Sequence, residues 1–277
     1  MEFGVHGGTS GYIGEISDNV IGFNQWTVGG GAKYYFDPID QRNRTWGIRL
    51  DYNFVNIEGD DSWSSNEAQQ DRNLHFSNRI HELAAAAEFH FWEFRPLRGR
   101  NLMTPYVFAG VGMIRHNPKA RFPGNSGRIS LIDARVEPRK VSRDPTTGDV
   151  TNVRLQRKYV MTIPFGAGFK YNLSGRLTPF SIGVELGYRY VFSDFMDGVG
   201  NSKYINYDDA YPNIAQPDRY IDNETTWKQL AGPHKSMDYV DLVADGTLRR
   251  GNQGNDYFMT ATFRITYTLY KYRDPLW

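Results

Sequence analysis

Between Phe180 and Asp194 the chain reads FSIGVELGYRYVFSD, and alternate residues belong to different chemistries. Phe180, Ile182, Val184, Leu186, Tyr188, Tyr190 and Phe192 form one set, and Ser181, Gly183, Glu185, Gly187 and Arg189 the other. Successive side chains leave a pleated backbone on opposite faces, so a period of two specifies an extended strand. The charges sit with glycines, while bulky aliphatics hold the middle of the apolar face and aromatics its ends. A soluble sandwich strand alternates too. Several such strands in a row, each about 10 residues long with aromatic-flanked apolar faces, are the signature of a transmembrane β-barrel.

Eight segments carry the pattern: Phe3–Glu15, Trp26–Asp37, Thr45–Asn56, Arg79–Phe94, Thr104–His116, Tyr159–Leu173, Phe180–Asp194 and Tyr257–Tyr270. The last is the cleanest, with Met259, Ala261, Phe263, Ile265, Tyr267 and Leu269 opposed to Thr260, Thr262, Arg264, Thr266 and Thr268. The first is weak and rich in glycine. The fourth contains helix-forming alanines, but the order Glu88, Phe89, His90, Phe91 favours a strand.

Connections between these segments alternate in length. Pro38–Arg44, Arg95–Met103 and Ser174–Pro179 are short; residues 17–25, 58–78, 117–158 and 195–256 form mostly longer loops. Short turns on one rim and long loops on the other describe an outer-membrane barrel of a Gram-negative bacterium, with loops outside the cell and turns periplasmic. An even strand count then places both termini on the periplasmic side. The expected fold is one all-β domain over residues 1–277, an antiparallel up-and-down barrel of eight strands. Closure is required in lipid, where an open sheet edge leaves amides unpaired. Residues Arg128–Val136 and Val150–Leu155 are expected to form a hairpin above the membrane, because their arginines are costly in lipid.

Composition narrows the class further. A mean hydropathy of −0.58 and the absence of any run of 18 apolar residues exclude a spanning helix. Aromatics make up 15% of residues, which suits a β-protein seeking an interface. A net charge of +1 gives no concentrated basic face for nucleic acid. With no cysteine, disulfides and cysteine–zinc sites are out of reach. The strand pattern begins by Phe3, so no signal peptide is expected within this chain.

Eight strands enclose an interior just wide enough for side chains to fill. The inward set includes Lys33, Arg49, Asp51, Glu82, Glu88, Lys170, Glu185, Arg189 and Arg264, four acids against five bases. In a narrow, poorly hydrated space these must pair. Inward glycines such as Gly31, Gly168 and Gly187 make room for them. The expectation is a plugged, salt-bridged lumen, set against an ion or solute path.

Other chemistry is thin. Gly7–Gly14 lacks the Lys-Ser/Thr ending and following helix of a phosphate loop. His81-Glu82 lacks a second histidine four residues on, since that position is Ala85. Asp144–Asp149 and Tyr207–Asp209 lack the ligand spacing of an EF-hand. No cofactor, metal site or catalytic set is expected.

Thr104-Pro-Tyr-Val-Phe-Ala-Gly-Val-Gly112, followed by Asn117-Pro-Lys-Ala120, resembles the PorG-like outer-membrane barrels of the type IX secretion system. So do Pro164-Phe-Gly-Ala-Gly-Phe-Lys170, Glu185-Leu-Gly-Tyr-Arg-Tyr190, Ser193-Asp-Phe-Met-Asp197, Arg72-Asn-Leu-His-Phe-Ser77 and Ile80-His-Glu-Leu83. The similarity runs from Gly4 to about Asp197 and resumes in the last strand. It implies a non-enzymatic component of a protein secretion machine, embedded in outer-membrane lipid. It also implies association with a periplasmic ring of PorK-like and PorN-like proteins, alongside other secretion subunits. The contact surface expected from it is the turn rim with the tail Lys271–Trp277, including Arg42, Arg44, Arg95, Arg98, Arg100 and Arg176. Two alternatives remain open from the residues: a solute- or ligand-binding, porin-like barrel, and a lipid-modifying enzyme for which His116 and Ser193 are the candidates near the outer rim.

Overall fold

Eight long antiparallel strands form the wall: β1 (Glu2–Ile13), β2 (Gln25–Phe36), β3 (Trp46–Asp60), β4 (His75–His90), β5 (Met103–Arg115), β6 (Tyr159–Asn172), β7 (Phe180–Val191) and β8 (Tyr257–Thr268). The computed structural model describes residues 1–14, 16, 22–36, 46–92, 102–121, 127–173, 179–200, 203–212, 220–221, 223–245 and 254–269. Each strand pairs with its sequence neighbours, and β1 pairs with β8 from Glu2↔Thr268 to Ile13↔Tyr257, which closes the barrel. Following the register once around from residue 159 of β6 returns to that strand at residue 169, a stagger of ten residues. Such a stagger tilts the strands by roughly 35–45° and leaves an interior that side chains can fill.

The outer face is apolar. Val5, Leu50, Leu83, Val111, Val184 and Leu186 are 51–63% exposed. Aromatics flank this belt, with Phe36, Trp46, Phe91 and Phe180 at the turn end and Trp26, Tyr159 and Phe192 at the loop end. An apolar band of this extent around a whole barrel is a surface for hydrocarbon rather than water.

The strands outrun the expected span at the loop end. β3 and β4 pair up to Asp60↔His75, so the second loop is 61–74 instead of 58–78. Their extension projects Ile57 and Phe76 into a buried cluster with Ile80, Ile114, Val191 and Phe258. The hairpin expected from Arg128–Val136 and Val150–Leu155 does not form. Arg128–Ser130 pairs with Lys119–Arg121, while Val150–Arg154 pairs with Lys140–Arg143. Both hairpins close over fewer residues, which lowers the loop entropy lost. The Asp144 carboxylate accepts from the amides of Thr146 and Thr147, turning the second hairpin.

The long loops build a folded cap over the mouth. α1 (Glu67–Arg72) starts at Asn66, whose side chain caps the Ala68 amide, and ends at Asn73 in the left-handed region. α2 (Tyr207–Ala210) and α4 (Tyr239–Asp245) flank α3 (Glu224–Ala231), which is N-capped by Asn223. Trp227, Leu230 and Ala231 lie on one face of α3 at helical spacing and are buried. The Trp227 indole packs on Tyr207 and Tyr239 and donates to the Ala134 carbonyl at 2.7 Å. Tyr211 donates to the same carbonyl at 3.1 Å, so the third and fourth long loops are joined there.

The cap is fastened to the wall by a buried triad. The Tyr12 hydroxyl lies 2.7 Å from Asp197 Oδ2 and 2.7 Å from Asp256 Oδ1. Asp197 also accepts from the Val199 amide at 2.8 Å, and Asp256 from the Met196 amide at 2.7 Å. A phenol has one proton to donate, so both short contacts are hydrogen bonds only when one carboxyl carries the second. Burial pushes both carboxyls up, Asp197 to about 7, and the proximity of Asp197 raises Asp256 further. Arg72 lowers Asp197, Glu137 raises it, and Asp194 raises Asp256.

Two outcomes follow. A carboxyl raised in the folded state stabilises fully below its unfolded value of about 4 and loses that contribution as pH rises through the folded value. Cap opening at residues 194–200, measured by amide exchange corrected for intrinsic chemistry, should therefore increase between pH 6 and 8 as Asp197 passes its value of about 7. Asp256→Asn, which keeps the hydrogen bonds without the charge, should flatten that dependence; an unchanged pH profile refutes the latch. Buried His116, lowered to about 4 by burial, acts in the opposite sense and only on the acid side of its ordinary value. Separately, Trp227→Ala should cost the cap about 3–5 kcal/mol and expose it to protease, while the barrel keeps its heat-modifiable gel mobility.

Candidate functional site

The inward residues stack in layers from the turn end to the cap. At the turn end Lys170 pairs with Glu2, to which Tyr35 donates at 3.0 Å, and Lys33 pairs with Glu88. His90 Nε2 lies 2.6 Å from Glu88 Oε1. In the middle layer Arg49 holds Glu185 through two nitrogens, at 2.6 and 3.1 Å. Its guanidinium also lies 3.0 Å from Asp51 and stacks 3.7 Å from the Phe108 ring centroid. Arg264 reaches Asp51 at 3.0 Å, and Tyr106 donates to Glu185 at 2.9 Å. Above them Arg189 meets Glu82 at 3.3 Å and Thr260 at 2.5 Å. Asn53 donates to Glu82 at 2.8 Å, and its Oδ1 is 2.6 Å from His6 Nε2.

All nine lumen charges read from the alternation are inward and at most 6% exposed. The structure adds a tenth, Glu2, 2% exposed and bound to Lys170. Its addition makes the described lumen set five acids and five bases. Glu2 precedes the segment expected to begin at Phe3, and the weak alternation of β1 hid which face it occupies. The inward parity of His6 and Ser10, carried back four residues from His6, was the available signal. Glycine is needed where lumen side chains fold back on the wall. A Cβ on Gly31 would lie 2.2 Å from Asp51 Oδ1, and one on Gly168 would lie 2.4 Å from the Tyr106 ring.

Sequence reasoning also missed the stopper above the charges. At the loop end the inward positions turn aliphatic: Val55, Ile80, Ile114, Val160 and Val191 are 0–9% exposed. They merge with the cap core. An apolar plug beneath a folded lid bars hydrated solutes, because an ion crossing it would lose its water with nothing to replace it.

The turn-rim arginines Arg42, Arg44, Arg95, Arg98, Arg100 and Arg176, and the tail Lys271–Trp277, lie outside the described residues. His116 and Ser193 are not joined. His116 is 1% exposed with its ring set against the Arg157 backbone, and Ser193 Oγ accepts from the Phe195 amide at 3.3 Å. His81 and Glu82 point to opposite faces of β4, His81 to Tyr52 outside and Glu82 into the lumen. In the cap a cavity of about 230 Å³ is lined by Ile16, Leu74, Leu131, Leu230, His75 and Asp197 among others. That is below the roughly 300–1,000 Å³ of ordinary ligand pockets.

Residues 1–125 match the model of a family described as a domain of unknown function, DUF6089. No curated protein matches the chain. Among solved structures it is similar to Neisserial surface protein A, with 7% identity, 96% of each chain covered and a TM-score of 0.40. It is also similar to a major outer membrane protein from Thermus thermophilus, with 11% identity, 96% and 98% coverage and a TM-score of 0.38. The N-terminal β-barrel domain of Pseudomonas aeruginosa OprF follows the same pattern at 11% identity, 96% and 97% coverage and a TM-score of 0.35.

Proposed function

We propose that the protein is a sealed outer-membrane barrel acting as a structural component of a type IX-like secretion machine. The observation that carries the reading is the filled interior: five paired acids and five bases, closed above by an aliphatic stopper and the cap. With the lumen filled among the described residues, its working surfaces are the two ends and the lipid-facing wall. Both chain ends of the wall, Glu2 and Thr268, lie at the turn end, which this reading makes periplasmic. The resemblance to PorG-like barrels supplies the partner class, a ring of PorK-like and PorN-like proteins, and the sequence of the turn rim supplies arginines suited to an acidic surface. The reading is non-enzymatic and calls for no cofactor or metal.

Two measurements test it. In planar bilayers the wild-type protein should show no ion-conducting steps, and Glu185→Gln should not create them. Discrete steps in the wild type would instead support the solute-path alternative. In a mild-detergent pull-down from native outer membranes, ring-forming periplasmic proteins should co-purify and be lost when residues 95–100 are replaced by Gly and Ser. Recovery of the barrel alone refutes the ring-associated role.

A further inference from the structure

Three arginine side chains stand without partners on one side of the barrel, just beyond its apolar belt. On β4 the outward positions run from Leu83 through His81 to Arg79, and on β5 from Met113 to Arg115. Beside them, exposed Arg157 precedes Tyr159, the first residue of β6. The register pairs Arg115 with His81 and with Tyr159. Arg79 is therefore on the diagonal from Arg115, where neighbouring strands hold residues about 7–8 Å apart. Among the described residues none of the three guanidinium groups makes an ion pair or hydrogen bond. Nearby Lys158 and Arg121, by contrast, reach Asp133 and Asp60.

The opposite side of the same rim is different. There the outward residues are Trp26, Ile13, Tyr257, Tyr190 and Phe192, with Asn255 bonded to Tyr190, and no described residue is basic. Like charges set side by side on a sheet repel unless an anion joins them. Their height selects the anion, since Leu83, Met113 and Tyr159 below them stand exposed on the apolar belt and the headgroup layer begins where that belt ends. Guanidinium groups bind phosphate oxygens in pairs, and a tyrosine at that depth, Tyr159, anchors in the same layer.

We propose that Arg79, Arg115 and Arg157 form a binding surface for the phosphate groups of a phosphorylated lipid in the leaflet at the cap end. The surface fixes that lipid to one side of the barrel, between β4 and β6, and orients the protein in the membrane. This rests on the transmembrane reading above.

The test uses the whole protein in nanodiscs of phosphatidylcholine carrying a minor fraction of phosphatidic acid. Lipid adducts retained on the ejected protein are measured by native mass spectrometry. Phosphatidic acid should be enriched over phosphatidylcholine by about tenfold, a ratio that charge-assisted contacts of this kind supply. The triple variant R79Q/R115Q/R157Q should lose the enrichment, and K140Q/R154Q on the cap hairpin should keep it. Equal retention by the triple variant and the wild type, or no enrichment in the wild type, overturns the proposal. A barrel that folds in detergent yet fails to enter the nanodiscs overturns the transmembrane reading beneath it. Heat-modifiable mobility of each variant separates these outcomes from misfolding.

Discussion

Inside a bilayer no water is available to the backbone, so every amide of a spanning sheet must find its partner within the protein. Pairing of β1 with β8 meets that demand and makes the wall an edgeless cylinder. Everything else in the molecule answers to that closure. Eight strands with a ten-residue stagger set the width of the interior, and the inward half of the wall then has to fit within it. Glycines at positions such as Gly31 and Gly168 yield wall volume to the carboxylate and ring packed against them.

Filling such a space with charges is not a stabilising choice in itself. Desolvation of a buried ion pair largely offsets its attraction, whereas removing one partner costs about 3–5 kcal/mol. A network in which Arg49 touches Glu185, Asp51 and Glu88 together is therefore rigid rather than strong, because no member can leave alone. The inclusion of Glu2 shows how closely the charge is balanced, as its carboxylate answers Lys170 at the turn end. Strand β1, the weakest by sequence pattern, is thus tied to β6 across the lumen.

The cap follows a different logic. Above the membrane the strands continue, and their inward residues change from charged to aliphatic because they now face other parts of the protein. Ile57, Phe76, Ile80 and Phe258 form its floor, and Trp227 with Tyr207, Tyr211 and Tyr239 forms its roof. Tyr12 connects floor and roof through Asp197 and Asp256, residues 185 and 244 positions away in the chain. One end of the barrel thus carries a small globular core of its own, built from loops that length and composition describe only as long and polar.

Alternation alone identified all eight wall strands to within a few residues, nine of the ten inward charges, and the apolar outer face. It could do so because lipid outside and a narrow lumen inside impose the two chemistries at a strict period of two, and both are local properties of each strand. What lay beyond it was non-local. The partner of each charge, Glu2 with Lys170 included, depends on register and stagger, and the cap core on side chains from four loops meeting over the mouth. The arginines at 79, 115 and 157 are far apart in the sequence, and only the pairing of β4, β5 and β6 gathers them on one side of the loop rim. A local period was enough to specify a barrel with a charged interior. That its charges pair beneath an aliphatic layer and a folded cap emerged only from the folded molecule, because those contacts join segments that no local period records.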